Sequence, residues 1–504
     1  MIFPAHIISF LVGFLSLGAE TLWVRTYAFA NQSTPTSLAV VLAIYLLGIA
    51  RGASVGGTYC RTSERLVEIG TLAILAASVV IALSPALIVA LPHSSFSLLP
   101  LIYLPAFIYS ICFPICHHLG TRLAKGNIGK SLSRVYAANI LGSVTGPLAV
   151  NFLLLQYVST QTAFAVLGSA GLIVAASLAL LNPVRLVVIR SSVAACLVGF
   201  AAIAAGAWAP LTWPGNGNWL IAKLAIVSDP ISHVVETRQG IVVAHKDVVK
   251  GDSVFGGNVY DGRTNVDPRI NSNGINRIIV LSALTPRPKR VLVIGLSVGS
   301  WQHIIGGFQG VEHMDVIEIN PGYIDLARNY DAQKTAVNDQ RVRLIVGDGR
   351  KFLRQHPDLT YDLVVMNTTW HWRMYASLLL SREFLTLIKG HMAPDAVLTF
   401  NTTGSPDALK TATAVFPHAY LYDNFTIAGF TDWRSKLAGP EAVANLRSIH
   451  PAGKPLFGPN DNDLITDFTD RQRIQDLAAV EATAGRPAEI ITDRNLITEY
   501  RYGR

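Results

Sequence analysis

The chain has 504 residues, of which 51% are hydrophobic and only 15% are charged, and its formal net charge is +8. Soluble globular proteins carry charges on about a quarter of their residues, so this composition excludes an ordinary soluble enzyme. The acidic residues are unevenly distributed, because residues 1–210 contain only Glu20, Glu64 and Glu68. The two parts of the chain are therefore expected to face different solvents, and something in the first part is expected to span a membrane.

Seven apolar stretches come first, each near the roughly 20 residues that a helix needs to cross a bilayer. They lie at roughly 5–28, 36–59, 67–91, 97–118, 136–157, 161–182 and 190–209. Residues 1–210 are therefore predicted to form a transmembrane domain of seven helices. The small residues Gly142 and Gly146 would let two of these helices approach closely.

The charges of the connecting loops predict the orientation. The loops after the first, third and fifth stretches carry essentially only Arg25, whereas the other loops are basic. Their cations are Arg61, Arg65, Arg122, Lys125, Lys130, Arg134, Arg185 and Arg190. By the positive-inside rule the basic loops are cytoplasmic. With seven spans, we expect a multi-pass protein of the inner (cytoplasmic) membrane whose C-terminal domain is periplasmic or extracellular.

The second half of the chain divides by pattern. Residues 211–265 are predicted to form a linker and a small β-domain. Short segments of alternating apolar and polar residues indicate that this domain is an antiparallel sheet. Residues 266–435 alternate strands with helices, the pattern of a parallel doubly wound α/β sheet of the Rossmann type. Residues 436–504 are predicted to form a polar helical tail.

Four strand ends in this half point to a nucleotide-binding domain. The run 290–301 is an apolar strand that enters a turn containing Gly295 and Gly299 and then a helical pattern. About 20 residues further on, a second strand ends at Glu318, the spacing expected of a carboxylate that holds a ribose. A third strand ends at Asp348 and a fourth at Asn367. Glu318 could instead cap a helix, and Asp348 could be a turn residue.

These strand ends resemble those of the spermidine synthase family, and more closely its membrane-fused branch, over almost the whole chain. The first turn reads Gly-Gly-Gly-Asp-Gly-Gly in that family and Gly-Leu-Ser-Val-Gly-Ser over residues 295–300 here. The resemblance implies a methyltransferase-like Rossmann fold. It also implies that Glu318 meets the ribose and Asp348 the adenine of any bound nucleoside, with Gly295 and Gly299 in the same cofactor site.

The catalytic motif departs from the family pattern. In the family, Tyr-Asp, a strand and then Asp-Ser-Ser-Asp-Pro follow one another, and here the segment after the strand reads Asn367-Thr-Thr-Trp370-His371. The resemblance implies that the first of the missing acids takes a proton from the attacking amine. An amide of the same size cannot do this, and removing a general base costs about 10²- to 10⁴-fold in rate. Aminopropyl transfer is therefore predicted to be lost.

The loop after this strand supplies most of the predicted substrate-binding residues. Two Trp, a His and an Arg within a few residues predict pocket lining rather than a solvent-facing connection, although the tryptophans could instead pack against neighbouring structure. The predicted substrate-binding residues are Tyr260, Asn367, Trp370, Trp372 and Arg373. The planar fork of Arg373 would suit a carboxylate or phosphate.

The predicted catalytic residues are Asp261, Glu318, Asp348 and His371. Asp261 lies in the segment 258–263, which resembles the substrate-entry strand of the family. Histidine can titrate near neutral pH, so His371 could replace the missing base. No metal site is predicted.

Three functions remain open. The first is a divergent enzyme on a spermidine synthase scaffold that acts outside the cytoplasm on an envelope polysaccharide or lipid-linked glycan, without a cofactor. The second is a cytoplasm-facing aminopropyl- or methyltransferase that uses (decarboxylated) S-adenosylmethionine, with His371 or Asp362 as base. The third is an inactive binding or assembly module. The predicted partners are the lipid bilayer, an envelope glycan and a second copy of the chain, and no nucleic acid, because membrane loops already account for eight cations.

Overall fold

The computed structural model describes residues 5–92, 94–122, 127–182 and 218–501, together with residues 187, 188, 190, 191, 194–197 and 201. The chain forms two compact units. The first contains Met1–Gln32, Thr36–Ser228 and Glu236–Arg238, and the second contains Ser33–Pro35, Asp229–Val235 and Gln239–Arg504.

The first unit is helical. In the described part of the chain, six helices are long and apolar enough to cross a membrane: Ala5–Ala30, Thr36–Thr62, Leu66–Ala90, Ser95–Thr121, Ile128–Tyr157 and Thr160–Leu181. They coincide with the first six predicted stretches. The predicted seventh stretch, 190–209, lies largely outside the described residues.

Two of these helices are subdivided. Ser95–Thr121 consists of a 3-10 turn at Ser95–Leu98 and α-helices at Leu99–Ser110 and Cys112–Thr121. Ile128–Tyr157 consists of Ile128–Ala149, a π-helical stretch at Val150–Leu154 and Leu155–Tyr157. A further short helix spans Trp219–Leu224.

Glycines allow the helices of this unit to pack closely. A Cβ atom at Gly142 would overlap the carbonyl group of Phe10, and one at Gly146 would overlap the carbonyl group of Phe14. This confirms the role predicted for these two glycines. Small residues favour helix association in a bilayer because backbones can then come into van der Waals contact.

The second unit begins with a four-stranded sheet in the order β1-β2-β3-β4. Its strands are β1 Ile231–Thr237, β2 Gly240–His245, β3 Ser253–Gly256 and β4 Val259–Arg263. β3 pairs antiparallel with both β2 and β4. The strands fall within the segment that the alternating pattern assigned to a small antiparallel sheet.

An eight-stranded sheet follows in the order β12-β10-β11-β9-β8-β5-β6-β7. Its strands are β5 Arg290–Ile294, β6 His313–Glu318, β7 Val342–Val346, β8 Tyr361–Met366, β9 Met392–Asn401, β10 His418–Tyr422, β11 Phe425–Gly429 and β12 Ile474–Gln475. The first five of these strands are mutually parallel, and β10, β11 and β12 pair antiparallel. The sheet is therefore mixed and not wholly parallel as predicted. Only Asp423 and Asn424 connect β10 to β11, which is too short for a parallel crossover.

Helices cover both faces of this sheet. They span Asn276–Ile279, Leu281–Leu284, Ser300–Ile305, Gly322–Ala327, Asp331–Val337, Gly349–Gln355, Ser377–Leu380, Arg382–Lys389, Pro406–Val415, Pro440–Arg447, Asn462–Phe468 and Leu477–Ala484. Val291 and Val293 of β5 belong to one apolar core, and Leu292 and Ile294 belong to the other. Consecutive residues of a strand point to opposite faces, so the apolar run of β5 is buried on both sides.

The C-terminal segment after residue 435 is part of this α/β domain. Leu446, Phe457, Ile465 and Phe468 are buried in the same core as β5, and β12 pairs with β10. The structure therefore differs from the predicted separate polar tail. The buried apolar residues are widely spaced along a polar sequence, and no helical or strand period marks them.

Candidate functional site

The carboxyl ends of β5 and β8 meet at a tight turn. Gly295 and Gly299 have φ angles of 88° and 93°, a left-handed conformation that glycine adopts without steric cost. A Cβ atom at Gly295 would lie 2.7 Å from the carbonyl oxygen of Asn367. The predicted cofactor turn and the predicted substrate residue Asn367 are thus in direct contact.

Glu318, at the end of β6, is buried against the same turn. Its side chain accepts hydrogen bonds from the backbone N–H groups of Leu296 at 2.7 Å and Asn320 at 2.8 Å. Burial raises the pKa of Glu318 to about 7, against the opposing effect of these hydrogen bonds. Beside it, the apolar side chains of Ile319 and Val346 are 61% and 54% exposed.

Asp348 has a structural contact that differs from the turn role given as its alternative. It is exposed and caps the helix Gly349–Gln355, accepting a hydrogen bond from the backbone N–H of Lys351 at 2.6 Å. An N-cap carboxylate at this position satisfies an otherwise unpaired donor. The strand-end position alone could not distinguish a cap from an adenine-binding acid.

A cavity of about 560 Å³ opens beside the end of β8. Of the predicted residues, Tyr260, Asp261, Asn367 and Trp370 line it. Its lining is rich in amides, and its asparagines are Asn271, Asn273, Asn276, Asn367, Asn401 and Asn424. Glu318, Asp348, His371, Trp372 and Arg373 are not among its lining residues.

Asp261 is the predicted acid that reaches the cavity. The hydroxyl of Tyr323 donates a hydrogen bond to its carboxylate, and the hydroxyl of Thr369 lies 3.3 Å away. Arg373 forms an ion pair with it at 3.6 Å. Burial raises the pKa of Asp261, and the Arg373 charge opposes this effect. A desolvated carboxyl group at a cavity wall is a candidate acid or base.

The loop after β8 contributes one of its two tryptophans to the cavity. The indole N–H of Trp370 donates to the carbonyl oxygen of Tyr260 at 3.1 Å, and Trp370 stacks on Trp372 with ring centroids 6.2 Å apart. Arg373 donates to the hydroxyl of Thr369 at 2.6 Å. Trp372 and Arg373 therefore support the cavity wall from behind.

His371 does not occupy the position of a replacement base. Its side chain is buried, with Nδ1 3.0 Å from the hydroxyl of Thr403 and Nε2 2.9 Å from the carbonyl oxygen of Arg501. In the neutral form the ring donates from Nε2 to the carbonyl oxygen of Arg501. The Thr403 hydroxyl accepts from the backbone N–H of His371 at 3.0 Å and donates to the carbonyl oxygen of Thr402 at 2.8 Å. Burial lowers the pKa of His371, which favours this neutral form. His371 thus links the loop to the C-terminal segment.

Four charged or aromatic residues of the cavity were missed by the sequence analysis: Arg277, Trp301, Asp423 and Arg473. Arg277 interrupts the apolar run 275–284, and a lone cation in such a run is the signal that could have identified it. Asp423 lies in the short β10–β11 turn. In the described part of the chain, no cluster of His, Cys, Asp and Glu could hold a metal ion.

Comparisons with known proteins identify a domain that contributes part of this cavity. Residues 278–413 match the spermine/spermidine synthase domain. The chain is 26% identical over 309 residues to polyamine aminopropyltransferase 2 of Streptomyces coelicolor, covering 58% of this chain and 53% of that protein. It is 36% identical over 85 residues to spermidine synthase 2 of Hyoscyamus niger, covering 17% of this chain and 28% of that protein. The chain thus spans about half the length, or less, of these curated relatives.

One solved structure that the chain resembles is a spermidine synthase. Spermidine synthase from Thermotoga maritima is 17% identical with a TM-score of 0.38, covering 47% of this chain and 84% of that chain. The C-terminal part of the chain contains a spermine/spermidine synthase domain, which confirms the resemblance seen in the strand-end motifs.

Proposed function

We propose that this protein is a membrane-anchored enzyme on a spermidine synthase scaffold that has lost aminopropyl transfer. Its substrate is a polyhydroxylated molecule of the cell envelope, such as a polysaccharide or a lipid-linked glycan. The observation that carries this proposal is the lining of the cavity, which combines six asparagines, two tryptophans and equal numbers of acidic and basic side chains.

The charges of the cavity do not suit a diamine. Putrescine is a dication at neutral pH, because alkylamines have pKa values near 10, so its binding site needs an excess of carboxylates. The cavity has two carboxylates, Asp261 and Asp423, and two guanidinium groups, Arg277 and Arg473. Asp423 is already paired with Arg473 at 3.0 Å. A diamine would therefore meet no net negative charge.

The lining suits a polyhydroxylated substrate. Each asparagine offers both a hydrogen-bond donor and an acceptor, which matches hydroxyl groups that can do either. The aromatic faces of Trp301 and Trp370 offer apolar surface for the C–H faces of a ring. Asp261 supplies a carboxylate at the wall whose pKa is raised by burial, as acid or base catalysis requires.

The proposed location outside the cytoplasm supports the same assignment. The basic loops predict that the C-terminal part lies on the exterior side when seven stretches span the membrane. S-adenosylmethionine and its decarboxylated form are made in the cytoplasm. An exterior domain would seldom meet them, which agrees with the loss of the general base at Asn367.

Ligand binding by the full-length protein in detergent tests the proposal. We expect calorimetry to detect binding of a neutral glucan hexasaccharide and none of putrescine. Trp370→Ala should weaken binding of the sugar by about tenfold, because the aromatic contact is lost. Tyr500→Ala, at an exposed residue outside the cavity lining, should leave the affinity unchanged. Binding of putrescine without any sugar binding, or spermidine formation by the wild type, would overturn the proposal.

A second function, group transfer from a nucleoside of the S-adenosylmethionine type, is favoured by the surroundings of Glu318. A carboxylate beside the exposed apolar side chains of Ile319 and Val346 offers partners for a ribose and a purine face. Leu296 and Ser297 add side chains where the family has glycines, so we expect weak nucleoside binding. Calorimetry that shows low-micromolar binding of S-adenosylmethionine or its decarboxylated form would favour this second function over the first.

A further inference from the structure

We infer that the cavity selects substrates that carry a carboxylate, and that Arg277 binds this carboxylate. The inference rests on the proposed function, because it narrows the polyhydroxylated substrate to one with acidic sugar residues.

Arg277 is held by neutral groups. Its Nε donates to the carbonyl oxygen of Gly274 at 2.7 Å, its Nη2 donates to the carbonyl oxygen of Asn273 at 2.9 Å, and its Nη1 donates to the side-chain oxygen of Asn424. A guanidinium group has five N–H donors. Three are used in these bonds, so one on each terminal nitrogen remains. A guanidinium group with N–H groups available on its terminal nitrogens can donate to a carboxylate.

Within the part of the chain that the structure describes, Arg277 forms no direct ion pair with a carboxylate. Asp423 is its nearest acidic influence, but Asp423 accepts from Asn276 at 2.8 Å and from Arg473 at 3.0 Å. The other acid of the cavity, Asp261, is engaged by Tyr323 and Arg373. Arg473 is also shared with Asp467 at 2.7 Å. The carboxylates near Arg277 are thus bonded to other groups, and none of them is in ion-pair contact with it.

The position of Arg277 makes this charge costly without a ligand. Its guanidinium group lies 4.3 Å from the ring centroid of Phe425 and 6.0 Å from that of Trp301, which removes much of its hydration. Burial lowers the pKa of Arg277 to about 10, so the group still carries its charge at neutral pH. Buried arginines are rarely left unpaired, because desolvation of a cation is unfavourable unless an anion compensates it. A substrate carboxylate in the cavity would supply that anion.

The arginine expected from the sequence to bind an anion has a different role. Arg373 is tied to Asp261 and to the hydroxyl of Thr369 at 2.6 Å, and it is not among the lining residues of the cavity. Arg277 does line the cavity, and its flat face is fixed by the aromatic ring beneath it. Fixing the plane of a guanidinium group reduces the entropy lost when it binds a planar carboxylate.

A matched pair of ligands tests the inference on the unmodified full-length protein. Trigalacturonate and its methyl ester have the same sugar hydroxyl groups, but only the acid is charged. We expect calorimetry to show at least tenfold tighter binding of the acid, with a preference that falls at 0.5 M NaCl. Arg277→Gln should reduce the ratio of the two affinities to near one. Arg269→Gln, at an exposed arginine paired with Asp461 outside the cavity lining, should preserve it.

The outcomes separate this inference from the proposed function. Equal affinities of the acid and the ester would overturn the inference and leave a neutral-glycan enzyme standing. If acetate and inorganic phosphate bind as tightly as trigalacturonate and the ester does not bind, the anion site is supported and the polyhydroxylated substrate is overturned. Binding of neither sugar nor anion would overturn both. If Arg277→Gln does not fold, the affinities of the wild type for the acid and the ester still test whether the cavity prefers a carboxylate.

Discussion

Asp261 and Asp348 are both strand-associated acids in the sequence, but their surroundings in the structure differ. Asp261 is desolvated and faces a cavity, where it contacts Tyr323, Thr369 and Arg373. Asp348 is exposed and caps a helix. A carboxylate at a cavity wall can exchange a proton with a bound substrate, whereas a cap only needs an acceptor oxygen, which asparagine also provides.

We therefore expect Asp261→Asn to reduce activity by about 10²-fold or more, because it keeps the shape and removes the ionisable group. Asp348→Asn is the matched control and should behave like the wild type. The measurement is complementation of a chromosomal deletion, scored by the composition of the envelope glycan at equal protein level in the membrane. Equal complementation by both variants would contradict an acid–base role of Asp261.

Restoring the first acid of the motif at position Asn367 should not restore the family reaction. Asn367 lines the cavity, but the second acid of the family motif is replaced by Trp370, which is bonded to the carbonyl oxygen of Tyr260. The charge of Arg277 would also repel a diamine. We expect Asn367→Asp to form no spermidine from putrescine and decarboxylated S-adenosylmethionine. Chromatography of the reaction checks this, and spermidine formed by either the wild type or the variant would refute it.

At the scale of elements, hydrogen bonds and ion pairs to one buried acid connect the C-terminal segment, residues 486–501, to the helix Pro406–Val415. Asp407 accepts from Arg486 at 2.8 and 2.9 Å, from Arg501 at 2.7 Å and from the backbone N–H of Glu489 at 2.8 Å. Burial acts to raise the pKa of Asp407, but the bonds from these arginines hold it below its usual value of 3.8. The carbonyl oxygen of Arg501 also contacts His371, so this segment supports the loop that contains Trp370.

Asp407→Asn should release this segment. Removing one partner of a buried ion pair costs about 3–5 kcal/mol because the remaining charges lose their compensation. Limited proteolysis of the variant should therefore cut within residues 486–501 at protease concentrations that spare the wild type. Asp432→Asn, at an acid about a third exposed and paired with Arg434, is the control and should change stability by less than about 1 kcal/mol.

The same acid predicts a dependence on pH. Because the folded-state pKa of Asp407 is depressed, its contribution to stability is present above pH 3.8 and is lost as the pH falls through the folded-state value. The wild type should therefore become protease-sensitive in this segment at low pH, while Asp407→Asn should be sensitive at every pH. A variant as resistant as the wild type at neutral pH would show that Asp407 does not hold the segment.

The elements that the sequence specified well are those with strong local patterns. β5 and β8 are apolar runs that lead directly into Gly295 and Asn367, and β6 ends at Glu318. These strands pair in parallel and are buried on both faces. The cavity was only partly predictable, because it joins segments near residues 260, 277, 367, 401, 423 and 473. No local period relates these segments. Arg277 reaches the cavity only because the antiparallel strands β10 and β11 bring Phe425 and Asn424 beside it.

At the scale of the whole molecule, the side of the membrane on which the cavity lies decides which substrates it meets. An even number of spans places the two ends of the helical region on the same side, and an odd number places them on opposite sides. Among the described residues, six candidate spans are found, the last of which ends at Leu181, and the seventh predicted stretch, 190–209, follows in the sequence. The positive-inside rule assigns the basic residues Arg185 and Arg190 to the cytoplasm.

Reporter fusions on either side of the seventh stretch test this orientation. We expect a fusion after Asn182 to give cytoplasmic fluorescence and no phosphatase activity. A fusion after Leu224 should give the reverse, because one further span would carry it across the membrane. If both fusions give cytoplasmic fluorescence, stretch 190–209 does not cross the membrane. The cavity then faces the cytoplasm, where S-adenosylmethionine is made. That result would remove the argument from location and favour the nucleoside-dependent transferase, with Glu318 as its ribose-binding residue.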